Sequence, residues 1–88
     1  MTPEFRTSFT RDLRRVRDRS LFKRVQETIE GVEAAGSILE IRNLKKLRTE
    51  GRYYRIRLGD YRIGLIVEGD TVVFVRLLHR SEIYRYFP

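Results

Sequence analysis

Residues 52–80 read RYYRIRLGDYRIGLIVEGDTVVFVRLLHR, and two Gly-Asp pairs, Gly59-Asp60 and Gly69-Asp70, cut the stretch into three runs rich in Tyr, Ile and Val. Aromatic and β-branched residues suit a pleated, half-buried strand, and Gly-Asp supplies the positive φ of a two-residue hairpin loop. The stretch is therefore expected to form a three-strand antiparallel meander. Two-residue loops set Leu58 opposite Tyr61 and Glu68 opposite Thr71, and all further pairs follow. Opposed residues share a face. One face then carries Tyr54, Ile56, Leu58, Tyr61, Ile63, Leu65, Val67, Val72, Phe74 and Leu78, the core side. The other carries Tyr53, Arg55, Arg57, Arg62, Gly64, Ile66, Val73, Val75, Leu77 and His79. A one-residue slip would exchange the two sets, and the apolar character of the first argues against it.

Upstream the period changes from two to that of a helix. Pro3 to Arg6 reads as a short strand. Phe9, Leu13 and Val16 then recur at helical spacing, with Thr7 or Ser8 as the cap. Ser20 is expected to cap a second helix whose stripe is Phe22, Val25, Ile29 and Val32, ending near Gly36. Ser37 and Glu40 have capping-box spacing and predict a short helical turn over Ile38 to Arg42. Residues 81–88 close the chain as a short helix or tail. The order is β-α-α-β-β-β-(α), a compact α+β fold with a mainly antiparallel sheet and two N-terminal helices on one face. At 88 residues it is one domain, 1–88.

Hydrophobic residues at 41% offset the 35% that are charged, so the chain is expected to fold rather than stay disordered. With no Cys there is neither a disulfide framework nor a thiolate zinc site, which fits a reducing compartment. The longest apolar runs, Ile63 to Val67 and Val72 to Val75, fall far short of the roughly 18 residues a membrane span needs. Met1 to Leu13 carries Arg6 and Arg11 and no apolar stretch, so it does not read as a secretory signal, and a cytoplasmic location is expected. The net charge is +7, and most of the cations are Arg, whose planar fork grips phosphate and stacks on bases. A polyanionic partner is expected.

The charges concentrate on one face. Arg57 opposes Arg62 and Arg55 lies two residues along, although like charges directly opposed destabilise a ladder. An anion between them removes that penalty, and Gly64 opposite Arg55 leaves the backbone open to a ligand. His79, the one side chain whose ordinary pKa suits proton transfer near neutrality, ends the last strand on the same expected face. Arg80 follows it. Tyr84 lies a turn beyond, able to stack on a base or else to pin the terminal segment. On helix one, Arg11, Arg14, Arg15 and Arg19 are expected to pair with Asp12 and Asp18 as an ordinary solvated face. Arg76 falls on the core side between Phe74 and Leu78, where a buried charge must be paired. Glu27, Glu30 or Glu33 is the expected partner. One His and no Cys exclude the usual transition-metal sets, and there is no Gly-rich phosphate loop and no Gly-x-Ser-x-Gly elbow.

The whole chain resembles the RelE/ParE superfamily of bacterial toxins. The resemblance rests on Asn43-Leu44-Lys45-Lys46-Leu47, Tyr53-Tyr54-Arg55-Ile56-Arg57-Leu58, Asp60-Tyr61-Arg62-Ile63, and Leu78-His79-Arg80-Ser81-Glu82-Ile83-Tyr84. It implies the toxin of a type II toxin-antitoxin system. In the RelE branch that toxin is an mRNA interferase, an endoribonuclease that inhibits translation by cutting mRNA in the ribosomal A site through metal-independent attack of the 2′-hydroxyl. The implied partners are a cognate acidic antitoxin, mRNA and the ribosome, with no membrane and no cofactor. The implied catalytic set is Arg55, Arg57, Arg62, His79, Arg80 and Tyr84, flanked by RNA-binding Lys45, Lys46, Arg48, Arg52 and Tyr53. Arg55 and Arg57 replace that branch's two Lys and, staying protonated, are read as clamps and transition-state stabilisers. The base is unassigned, with only Glu50 near. The ParE branch inhibits gyrase and does not cut RNA; its last strand resembles Arg76-Leu77-Leu78-His79.

Overall fold

The computed structural model describes residues 1–47 and 51–88. Their elements are β1 (Thr2–Phe5), α1 (Thr7–Arg14), α2 (Arg19–Ala34), a 3-10 turn (Ile38–Glu40), β2 (Leu44–Lys46), β3 (Tyr53–Leu58), β4 (Tyr61–Glu68), β5 (Thr71–His79) and α3 (Ile83–Tyr86). Among the described residues the strands form one sheet in the order β1-β5-β4-β3-β2. β1 runs parallel to β5, and the other pairs are antiparallel. The expected α+β order is present with one addition, the three-residue β2, too short and too basic for alternation to reveal.

Both hairpin loops are two residues, with Gly59 and Gly69 at φ 59° and 58°. The β3–β4 register is the expected one, from Tyr53 opposite Ile66 to Leu58 opposite Tyr61. The β4–β5 register holds from Glu68–Thr71 to Leu65–Phe74, then slips by one, pairing Gly64 with Arg76, Ile63 with Leu77 and Tyr61 with His79. Val75 is the extra residue of a β-bulge, and beyond it every side chain of β5 changes sides. Leu77, not Leu78, therefore enters the core, and its exposure is 3%.

The bulge lies where β5 outruns its neighbour. β1 covers β5 only from Thr71 to Phe74, and beyond that α1 supplies the edge contacts. The Arg6 amide donates to the Phe74 carbonyl at 2.9 Å, Ser8 Oγ donates to the Val75 carbonyl at 2.5 Å, and the Leu77 amide donates to Asp12 Oδ2 at 2.9 Å. Ser8 and Asp12, one helical turn apart, replace a strand in satisfying an exposed edge. Ser8 is thus spent on the sheet, and α1 has no side-chain cap. Asp18, rather than Ser20, caps α2 by accepting from the Ser20 and Leu21 amides.

The main core lies between the helices and one sheet face, with Phe9, Leu21, Val25, Val32, Ile56, Leu58, Ile63, Leu65, Val72, Phe74 and Leu77 buried. Each large apolar side chain so buried contributes about 1.5–3 kcal/mol. Phe22 stays half exposed, because the buried stripe of α2 runs through Leu21, Val25 and Val32 instead. The opposite face has a smaller apolar layer: Ile66 and Val73 are buried there, and the chain end brings Ile83 and Phe87 to be buried too. Gly64 serves this layer. A Cβ at Gly64 would stand 2.7 Å from Phe87 ring carbons, so the missing side chain admits Phe87 rather than the ligand expected from sequence.

Candidate active site

The sheet face away from α1 and α2 collects cations row by row. Lys45 pairs with Arg55, Arg55 with Gly64, and Gly64 with Arg76; the next row sets Arg57 against Arg62 and Arg62 against Leu78. The opposed pair Arg57–Arg62 is therefore present as expected. Arg62 is tied to the hairpin tip, donating from Nη1 to the Gly59 carbonyl at 2.6 Å and the Tyr61 carbonyl at 2.9 Å. Burial, and then the Arg55, Arg57 and Arg80 guanidiniums, push the Arg62 pKa below its ordinary value, while Tyr84 pulls it upward. Three guanidiniums and a phenol thus lie within electrostatic reach of Arg62, and an anion between them would relieve their repulsion.

The surrounding chain fixes these groups. Asn43 adopts φ 63°, and its carbonyl accepts from Arg55 Nη1 at 2.9 Å and from the Arg57 amide at 3.3 Å. Asn43 is a site-shaping residue that sequence reasoning missed; Asn is among the few residues that accept a left-handed backbone readily, which was its available signal. Arg55 Nε is buried without a partner. The Arg80 amide donates to the Asp60 carbonyl at 2.7 Å, and its Nε lies 3.9 Å from Asp60 Oδ1, which places Arg80 beside the same hairpin tip. A cleft of about 860 Å³ joins Arg57, Arg62 and Arg80 to Arg24 on α2. Tyr84 is 62% exposed, whereas its neighbour Ile83 and nearby Phe87 are buried. Pinning the chain end falls to Ile83 and Phe87, and the Tyr84 ring is left exposed.

Two expectations fail here, both because of the bulge. His79 sits opposite Tyr61, across the sheet from the arginines, with its ring 5.5 Å from the Tyr61 ring and Nδ1 2.8 Å from Ser81 Oγ. Arg76 leaves the core side and reaches not Glu27, Glu30 or Glu33 but Asp12, through Nε at 2.8 Å and Nη2 at 3.2 Å. Its guanidinium also lies 5.7 Å from the Tyr86 ring centre. That pairing, with the Arg76 pKa raised chiefly by its hydrogen bond to Asp12, is structural. The flanking residues divide. Lys45 shares the arginine face, while Lys46, opposite Tyr54, takes the other. Arg52 pairs with Glu68 at 3.0 Å, and Tyr53 meets Phe87 edge to face, the ring centres 5.9 Å apart. Arg48 and Glu50 lie outside the described residues.

Comparison with known proteins shows the family and the fold. A family model described as the ParE toxin of the type II toxin-antitoxin system parDE matches residues 4–84. Toxin RelE3 of Methanocaldococcus jannaschii is 42% identical over 85 residues, 96% of each chain. A chain in the RelB-RelE antitoxin-toxin complex from Methanococcus jannaschii superposes with a TM-score of 0.80 at 42% identity, covering 97% of this chain and 99% of that one. A chain in the RelBE2 toxin-antitoxin complex of Mycobacterium tuberculosis gives 0.70 at 30% identity, covering 90% and 96%.

Proposed function

The chain belongs to the ParE toxin family of type II toxin-antitoxin systems, and on that premise we propose that it is a RelE-like endoribonuclease cutting mRNA in the ribosomal A site without a metal cofactor. The observation that carries the reading is the opposed Arg57–Arg62 pair with Arg80 and Tyr84 around it. In the reaction the 2′-oxygen loses its proton and bonds to the adjacent phosphorus. The bond to the 5′-oxygen breaks, and that oxygen takes up a proton. Negative charge grows on the non-bridging oxygens meanwhile, and guanidiniums already in place stabilise it without reorganising. Arg55, Arg57, Arg62 and Arg80 hold that charge, and Tyr84 stacks on a base beside the scissile bond. Lys45, Lys46, Arg48, Arg52 and Tyr53 are proposed to guide the strand. The proposed partner is a small acidic antitoxin covering the arginine face, and the proposed location is the cytoplasm.

Purified protein added to mRNA-programmed ribosomes is expected to cut in the A-site codon, at an unchanged rate when free metal is chelated down to what keeps the ribosome assembled. Intact mRNA together with blocked supercoiling by gyrase would replace this reading with a gyrase inhibitor. His79, facing away from the arginines, is proposed to stand outside the chemistry. His79→Ala should therefore keep the single-turnover cutting rate within a few-fold, and a loss of about 10² would return the general-acid role to it.

A further inference from the structure

The helical corner of the molecule carries a second body of positive charge. Residues 11–24 contain Arg11, Arg14, Arg15, Arg17, Arg19, Lys23 and Arg24, with Asp12 and Asp18 as their only acids. All seven cations are exposed. Neither acid serves them: Asp12 is buried and spent on Arg76 and the Leu77 amide, and Asp18 accepts from the first amides of α2. Among the described residues none of the seven side chains makes an ion pair. The face is solvated, as expected from sequence, but the expected pairing with Asp12 and Asp18 is absent.

One member of the patch, Arg24, reaches the site. The Arg24 guanidinium lies against the hairpin tip, where a Cβ on Gly59 would stand 3.1 Å from both its terminal nitrogens. Arg24 shares its cleft with Arg57, Arg62 and Arg80, and also with Glu27, Glu40 and Asp60. Arg15 and Arg17 line a separate cleft of about 500 Å³ beside His79 and Glu82. Arg24 thus meets the arginine face on one side of the β3–β4 hairpin tip, and Arg15 and Arg17 lie at the cleft on its other side, beside Tyr61 and His79.

We propose that this corner is a second RNA-binding surface, which takes the phosphate backbone of structured RNA and extends the track that begins at Arg57 and Arg62. Phosphate suits it better than an acidic protein does. Six of the seven cations are Arg, whose fork matches phosphate oxygens. A protein interface calls for an apolar centre, and within residues 11–24 Phe22 alone is a large exposed apolar side chain. The direction of the track rests on the nuclease reading; binding to the corner is measured without cleavage, so the two can fail separately.

The experiment measures binding of a short mixed-sequence RNA duplex to the purified chain across a salt series. Each phosphate contact contributes a slope of about 0.9 in log affinity against log salt for a DNA duplex, taken here as the scale. The triple variant Arg11→Gln, Arg15→Gln, Arg19→Gln should lose about 2 to 3 of slope, since Gln preserves helix propensity and removes only charge. The corresponding triple change to Lys should keep most of it. A Gln variant with the wild-type slope overturns the proposal. So does a Lys variant that loses as much as the Gln one, or a Gln variant that keeps the duplex and instead releases a poly-glutamate peptide.

Discussion

The double variant Arg57→Ala, Arg62→Ala is expected to abolish cutting of ribosome-bound mRNA while leaving ribosome binding largely intact. The two residues are direct cross-strand partners, and like charges so placed cost stability unless an anion lies between them. A phosphorane-like transition state is more negative than the ground-state phosphodiester, so the pair stabilises the transition state more and the loss should fall on rate rather than affinity. Each single change should cost on the order of 10²-fold, the size of a lost oxyanion-hole donor. Arg62 is the better placed, because two backbone carbonyls of its own hairpin fix its guanidinium. The effects should not add, since both side chains serve one phosphate. Single-turnover kinetics decide the matter: a double variant that cuts at the wild-type rate removes the arginine pair from the mechanism.

Asp12→Ala should be the most damaging change outside the site. Asp12 is 7% exposed and accepts from Arg76 Nε, Arg76 Nη2 and the Leu77 amide. Its loss orphans a partly buried guanidinium and a buried amide together, and breaking a buried pair by removing one partner costs about 3–5 kcal/mol. Against a total stability of roughly 5–15 kcal/mol, that is a large lowering of the urea midpoint. Asp12→Asn, which keeps an oxygen for the Leu77 amide, should cost less. An Ala variant that unfolds at the wild-type midpoint would show that the Asp12–Arg76 contact contributes nothing net.

The meander was legible because Gly-Asp fixes both loop lengths, and loop length fixes register. That reasoning correctly opposed Arg57 to Arg62 and placed Arg55 beside them. It failed at Val75, because nothing in Val-Val-Phe-Val-Arg announces an extra residue: the bulge answers to Ser8 and Asp12, which are distant in sequence. His79 and Arg76 were misplaced for that one reason. Gly64 was singled out correctly as a position without a side chain, but its occupant, Phe87, comes from a segment with no periodicity to read. Arg80 and Tyr84 were placed by resemblance rather than by pattern, since turns and one-turn helices carry little periodic signal.

The parallel pairing of β1 with β5 governs when the fold can exist. Residues 2–5 find their strand partners at residues 71–74, and the arginine face gains its Ile83 and Phe87 packing later still. Such long-range pairings incur loop-closure entropy before any contact repays it, which makes them late events in folding. During synthesis the first strand has nothing to pair with until nearly the whole chain has left the ribosome that is making it. A chain that has not yet supplied residues 71–74 therefore lacks the closed sheet on which the arginine face is built, and what it can present to a partner is an unpaired strand rather than a site.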